Sequence, residues 1–324
     1  MRIVVMGAGG IGGTIGGRLH QAGYDVALIA RGPHGEAVRS HGLVLATPEE
    51  RVTLRIPAYA RASEVDWTPD DVVVLAVKSQ DTEGAARDLA AAAGPGLPVV
   101  AAQNGVANER TLARWFDRVH GLCVMCPTEH LEPGAVVAHS APTTGILDLG
   151  LSVGGTDEVD DALAAALRAS RFESVPRPDI MRWKYRKLLN NLGNAVQALC
   201  GTGLSSHDAR AVLELLDTEA QAAFAAAGID PVTEAEDDER RADHLQLRPV
   251  AGARRGGGST WQSLARGSGV ETDYLNGEIA LLGRLYGVPT PANSRIQALM
   301  TAAATRGAPP GGTTAEQLLA ELRR

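Results

Sequence analysis

The chain has 324 residues, 44% of them hydrophobic, and a formal net charge of -7. That length suits about two domains with real cores, and the acidic balance speaks against a nucleic-acid partner, which needs a basic face. No apolar run reaches the ~18 residues of a membrane span, three cysteines make no disulfide framework, and the start carries no signal-peptide layout, so the expected location is the cytoplasm.

In chain order, "RIVVM" (2–6) reads as a short buried strand. "GAGGIGGTIGGRLHQAG" (7–23) follows as a glycine-rich turn opening a helix, and "YDVALIAR" (24–31) is a second strand. "DVVVLAVKS" (71–79) and "LPVVAAQNG" (97–105) are two more buried strands ending in polar residues. Strands alternating with helices predict a doubly wound parallel sheet. "GLCVMCPTEHLEPGAVVAHS" (121–140) reads as strand, turn, strand at a mixed edge. Its "CVMC" has redox-motif spacing but sits in a strand, whereas the redox motif opens a helix. The eight histidines lack zinc-type paired spacing, so no metal is expected.

After about residue 175 the texture turns helical. Asp179 is the expected N-cap of a helix containing "MRWKYRKLLNNLGN" (181–194). "DARAVLELLDTEAQAAFAAAG" (208–228) and "TDYLNGEIALLGRLYG" (272–287) are helices with glycine stops. "EAEDDERRAD" (234–243) reads as a solvated charged face and "AGARRGGGST" (251–260) as a flexible loop. In "TTAEQLLAELRR", Thr313 and Glu316 are the expected capping box.

The glycine turn is Gly7-x-Gly9-x-x-Gly12, enclosing Gly10 and Ile11. Directly after a strand and opening a helix, it is the dinucleotide-binding pattern: a tight turn, a close backbone approach to pyrophosphate, and close helix–strand packing. The second strand ends in Arg31 with no acid beside it, which suits a 2′-phosphate and favours NADP over NAD. The fold class is thus α/β: a Rossmann-type NADP-binding domain over 1–175 plus a C-terminal all-helical domain over 176–324.

Of 31 Lys+Arg, only Lys78, Lys184 and Lys187 are lysines. Arginine cannot release its proton, whereas a lysine with a lowered pKa can act as an acid. At 100° per residue, Lys184, Lys187, Asn191 and Asn194 share about a quarter of one helix circumference. Such a cationic and amide stripe suits an oxygen-rich ligand. Lys78 and Asn104 each follow a sheet strand, where open parallel sheets bind ligands. Both are expected to face the nicotinamide half of the cofactor.

Together these residues resemble the ketopantoate reductases. The likeness rests on the glycine turn, Arg31, the "VK" at Lys78, the "QNG" at Asn104, the "K-x-x-x-N" of Lys187 and Asn191, "STWQ" (259–262), "ETDYLNG" (271–277) and "GVPTPAN" (287–293). The resemblance implies NADPH-dependent reduction of a small-molecule 2-oxo acid, ketopantoate first, within pantothenate biosynthesis. It implies Lys187 as proton donor, Glu271 as the acid that orients the lysine, the substrate hydroxyl or the cofactor, Asn191 and Ser259 as substrate ligands, and Asn104 as a bridge between cofactor and substrate. Asn194 joins the substrate face, although relatives space the two asparagines by four and here they stand three apart. The family's asparagine before the serine is replaced by glycine. Two further readings stay open: a related reductase with another 2-oxo or 3-oxo acid, and a non-catalytic NADP-binding sensor. A homodimer is compatible with all of them.

Overall fold

The computed structural model describes residues 1–130, 132–253 and 256–323. By contact the chain divides into two units, residues 1–184 with 233–255 and residues 185–232 with 256–324. The expected boundary at 175/176 differs from this division in two ways. The first unit extends to Lys184, and it takes back a segment from inside the helical half.

The first unit opens with β1 (Arg2–Met6), α1 (Gly10–Gln21), β2 (Val26–Ile29), α2 (Gly32–His41), β3 (Leu43–Ala46), β4 (Arg51–Leu54) and β5 (Ala58–Tyr59). It continues through β6 (Asp71–Leu75), α3 (Thr82–Ala93), β7 (Val99–Ala101), α4 (Asn108–Leu112) and β8 (Val119–Met125). Then come β9 (Thr128–Glu129), β10 (Ala135–Ala138), β11 (Gly145–Leu151), α5 (Glu158–Ala169), β12 (Phe172–Glu173) and the start of α6 (Ile180–Cys200). Eight strands form one sheet in the order β12-β11-β8-β7-β6-β1-β2-β5, parallel except at the β11–β8 pair.

The strands are apolar on both sides because both faces are covered. Successive residues feed two cores. Ile3, Val5, Leu28, Val72 and Val74 join Ile15 and Leu19 of α1 and Leu163 and Leu167 of α5. Val4, Met6, Ala27, Ile29, Val73 and Leu75 join Ala86 and Leu89 of α3 and Leu112 of α4. This is the doubly wound arrangement that the alternation predicts.

Residues 121–140 depart from the expected strand pair. β8 lies inside the large sheet, whereas β10 joins a separate sheet of order β4-β3-β10-β9. Cys126 follows β8 directly, its thiol donating to the Thr144 carbonyl at 3.5 Å, and burial pushes it up to about 12. That is the opposite of a reactive thiolate.

The charged run 234–243 is also more than a solvated face. It forms α8 (Glu234–Arg241), capped by Thr233 and Glu236 in a reciprocal box. Arg240 makes a two-pronged contact of 2.7 and 2.8 Å with Asp148 of β11, a carboxylate that also takes Arg177. Asp148 is buried, so this ion pair helps attach the returning segment to the sheet.

The second unit holds the rest of α6 with α7 (His207–Ala227), α9 (Ser259–Ala265), α10 (Asn276–Tyr286), α11 (Pro291–Thr305) and α12 (Ala315–Leu322). Gly228 and Gly287 end α7 and α10 in the left-handed conformation, as the glycine stops predict. The box at α12 sits one residue later than expected. Thr314 accepts from Gln317 N–H at 3.1 Å, and Gln317 accepts from Thr314 N–H at 3.1 Å. Either threonine has an acid or amide three residues on, so spacing alone does not choose between them. In the expected loop 251–260, positions 254 and 255 lie outside the described residues, and α9 begins already at Ser259. No helix among the described residues is long and apolar enough to cross a membrane.

Candidate active site

The candidate cofactor residues gather at one edge of the large sheet. β2, β1, β6 and β7 are consecutive, parallel neighbours. Gly7 directly follows β1, Arg31 follows β2, Lys78 follows β6 and Asn104 follows β7. Parallel register therefore brings four sequence-predicted positions to the same carboxyl edge, where open sheets bind ligands.

The glycine turn fits a dinucleotide phosphate. Gly7 has φ +99°, and a Cβ there would lie 2.8 Å from the Ala76–Val77 backbone. A Cβ at Gly12 would lie 2.1 Å from the Gly7 carbonyl, so only glycine lets α1 approach β1 this closely. At Gly9 the nearest atom is His130 Nδ1 at 3.7 Å, which leaves the backbone open for an anion at the start of α1. Gly10 and Ile11 form the first turn of that helix, Gly10 facing Thr128. Arg31 is exposed and occupies the N-cap position of α2, where helix dipole and guanidinium both favour a negative group.

His34 was not legible as part of this loop. The Gly134 N–H donates to its Nδ1 at 2.9 Å, and its Nε2 lies 2.7 Å from the Ala8 carbonyl. A carbonyl only accepts, so His34 carries its proton on Nε2 and is neutral. Burial lowers its pKa, and its ring packs edge-on to His130 at 4.2 Å.

The two lysines of α6 have different surroundings. Lys184 is 3% exposed, and its ammonium lies 2.6 Å from Glu109, itself 2% exposed. It donates to the carbonyls of Gln103, Leu122 and Ala101 at 3.0, 3.3 and 3.4 Å. A compact ammonium can serve several acceptors around one point, which arginine's planar fork cannot. This set of acceptors is a reason for a lysine at 184 that the proton-transfer argument did not anticipate. Lys187, one turn on, is half-buried beside the buried Asn191 and the half-buried Asn194.

Within the second unit, Asn194 donates to Asn191 Oδ1 at 3.4 Å. The Gly258 N–H donates to Gln197 Oε1 at 2.6 Å, and a Cβ on Gly258 would lie 3.0 Å from both Asn194 and Gln197. The amide face of α6 and the start of α9 thus meet, with Ser259 as the first residue of that helix. Gln197 was not singled out from the sequence, although it lies three residues past Asn194 on the same stripe. Glu271 stands directly before the 3-10 turn Thr272–Tyr274.

The asparagines of "ETDYLNG" and "GVPTPAN" are structural. Buried Asn276 donates to Asn293 Oδ1 at 3.1 Å and to the Leu192 carbonyl of α6 at 3.5 Å. Glu219 of α7 accepts from the Ala292 and Asn293 N–H groups at 2.7 and 2.9 Å, satisfying the open start of α11. This braces the helix that carries Lys187. His120, Asp157 and Asp160 also cluster, but as a helix cap. Asp157 accepts from two backbone N–H groups of α5 and from Arg118, and Asp160 from the Asp157 N–H and His120.

Comparison with known proteins agrees in order and extent. The profile "Ketopantoate reductase PanE/ApbA" matches residues 3–150, and "Ketopantoate reductase PanE/ApbA C terminal" matches residues 179–304. A 2-dehydropantoate 2-reductase of Halobacterium salinarum is 30% identical, over 90% of this chain and 95% of its own. One of Mesorhizobium japonicum is 29% identical over 93% and 97%. Among solved structures, a PanE/ApbA family ketopantoate reductase from Ralstonia eutropha JMP134 superposes with a TM-score of 0.79 at 29% identity, covering 95% and 99%. A D-mandelate dehydrogenase shares the fold with a TM-score of 0.79 at 23% identity, covering 95% and 99%. With both profiles in sequence order over most of its length, the chain belongs to the ketopantoate reductase family, oxidoreductases acting on a CH–OH/C=O pair.

Proposed function

We propose that the protein reduces 2-dehydropantoate (ketopantoate) to pantoate with NADPH. What carries the reading is the amide face of α6. Lys187 shares it with Asn191 and Asn194, while the other lysine of the helix is committed to Glu109. Bound NADPH supplies the hydride to the substrate's carbonyl carbon. Gly7, Gly9, Gly10, Ile11 and Gly12 cradle its pyrophosphate, Arg31 takes the 2′-phosphate, and Lys78 faces the nicotinamide half. Lys187 donates its proton to the substrate's carbonyl oxygen. Asn104 bridges cofactor and substrate, Asn191 and Asn194 hold the substrate's oxygens, Ser259 binds its carboxylate, and Glu271 orients the lysine, the substrate hydroxyl or the cofactor.

The test follows NADPH oxidation at 340 nm with ketopantoate and a panel of 2-oxo acids, with NADH as control. Efficient NADPH-selective turnover of ketopantoate supports the reading. A second reading, another 2-oxo acid, is favoured by the three-residue spacing of Asn191 and Asn194 and by Gly258 before Ser259. Turnover confined to a different acid would select it. Tight NADPH binding with no turnover on any acid would replace both with the sensor reading. A homodimer and a cytoplasmic location go with the first reading, and light scattering and cell fractionation test them.

A further inference from the structure

Asn104 lies in a turn whose two flanking peptide planes are both held from outside it. The carbonyl before it, of Gln103, accepts from the Lys184 ammonium at 3.0 Å. Its own carbonyl accepts from Asn108 Nδ2 at 3.1 Å. Fixing both planes fixes the φ and ψ of Asn104, and so the direction in which its Cβ leaves the chain. Gly105 then turns the chain with φ +80°.

The same groups reach the Lys78 turn. Gln103 Nε2 donates to the Val77 carbonyl at 2.8 Å and to Thr82 Oγ1 at 2.7 Å. Thr82 in turn donates to Asn108 Oδ1 at 2.8 Å, and Asn108 donates to Ser79 Oγ at 3.2 Å. One connected, buried network therefore holds the turns after β6 and β7 together. Its charges include Lys184 and Glu109, the latter next to Asn108 at the start of α4. A buried ion pair is weak evidence for stability in itself, since an apolar pair of similar volume often serves as well. A role in placing neighbouring groups explains its presence better.

We propose that Lys184 is a positioning residue: paired with Glu109, it holds the Gln103–Asn104 peptide, and so the Asn104 side chain, in the orientation that the reaction uses. This rests on the role given to Asn104 above. It assigns Lys184 no proton transfer.

The test compares wild type, Lys184→Met/Glu109→Leu, Asn104→Ala and the triple variant. Replacing both charges leaves no uncompensated ion, so the double variant folds, and thermal melting checks this. Its kcat/KM for ketopantoate falls about 10- to 100-fold, the scale of a misplaced polar contact. In the Asn104→Ala background the same double replacement costs less than about twofold, since the side chain it positions is already gone. Equal losses in both backgrounds overturn the proposal. Should the double variant not fold, Lys184→Met/Glu109→Gln, which keeps a neutral side chain of the same shape at position 109, takes its place, and the same non-additivity with Asn104→Ala decides. If the wild-type chain turns over no 2-oxo acid, the proposed function fails. Amide hydrogen exchange at residues 103–107 then decides alone: faster exchange in the double variant supports the positioning role, and unchanged exchange overturns it.

Discussion

Two successive turns of α6 carry the same residue type in opposite settings. Around Lys184 the helix is sealed by Glu109 and three backbone carbonyls. Around Lys187 it presents Asn191 and Asn194 and meets the start of α9 through Gly258. Rarity of lysine marked both positions, yet rarity has two physical sources. A lysine is kept where a proton must move, and also where a compact ammonium must satisfy several acceptors around one point. Only the partners distinguish the two, and those of Lys184 lie 62 to 83 residues away in the chain.

The sharpest way to break this comparison is to remove each lysine in turn. Lys187→Ala is expected to cut turnover by the ~10²–10⁴ of lost general acid catalysis, while NADPH binding survives. Steady-state kinetics beside fluorescence titration check this, and undiminished turnover would remove Lys187 as donor. Lys184→Ala should act in the opposite sense, on stability first. It strands a buried carboxylate, at a cost of about 3–5 kcal/mol readable by urea denaturation; a loss under 1 kcal/mol would mean that Glu109 finds other partners.

An arginine extends the comparison to the cofactor edge. Arg31→Ala should weaken NADPH by roughly 10- to 100-fold, as expected for a charged hydrogen bond, and leave NADH nearly unchanged. Equal losses would show that it does not read the 2′-phosphate. On a smaller scale, adjacent threonines repeat the lesson of α6. Thr314→Ala should cost about 1 kcal/mol of stability and Thr313→Ala almost nothing, measured by denaturant midpoints. The reverse result would return the cap to its expected place.

The smallest effect concerns His34. Its pKa lies below the ordinary 6.5 because burial disfavours the imidazolium. The unfolded chain therefore binds more protons on acidification. Its stabilising share is complete above pH 6.5 and is lost as pH falls through the lowered value. Protonation at Nδ1 also ends the bond from Gly134 and loosens the brace on Ala8. Stability measured from pH 7.5 to 5 should fall less steeply in His34→Gln than in wild type.

What was legible in the sequence was local. The strand, glycine turn and helix at residues 2–21 declare themselves through periodicity and glycine placement, as do the glycine stops at 228 and 287. The common edge of Gly7, Arg31, Lys78 and Asn104 follows from parallel topology once the strands are read. The rest depends on partners that no window contains. β10 pairs with β3 about ninety residues upstream, Arg240 reaches Asp148, Asn276 reaches Leu192, and His34 reaches Gly134. A charged run looks solvated until its buried acid is known, and a lysine looks catalytic until its carbonyl cage is known.

The return of 233–255 to the first unit has a consequence for synthesis. As the chain leaves the ribosome, β11 and its Asp148 are made long before Arg240, so until α8 has emerged this carboxylate is left with nearer partners such as Arg177 and the Val175 N–H. Neither unit is a contiguous stretch of chain, and a stop between residues 185 and 255 leaves both units without part of their residues. The dinucleotide-binding half is therefore no more a single piece of chain than the helical one.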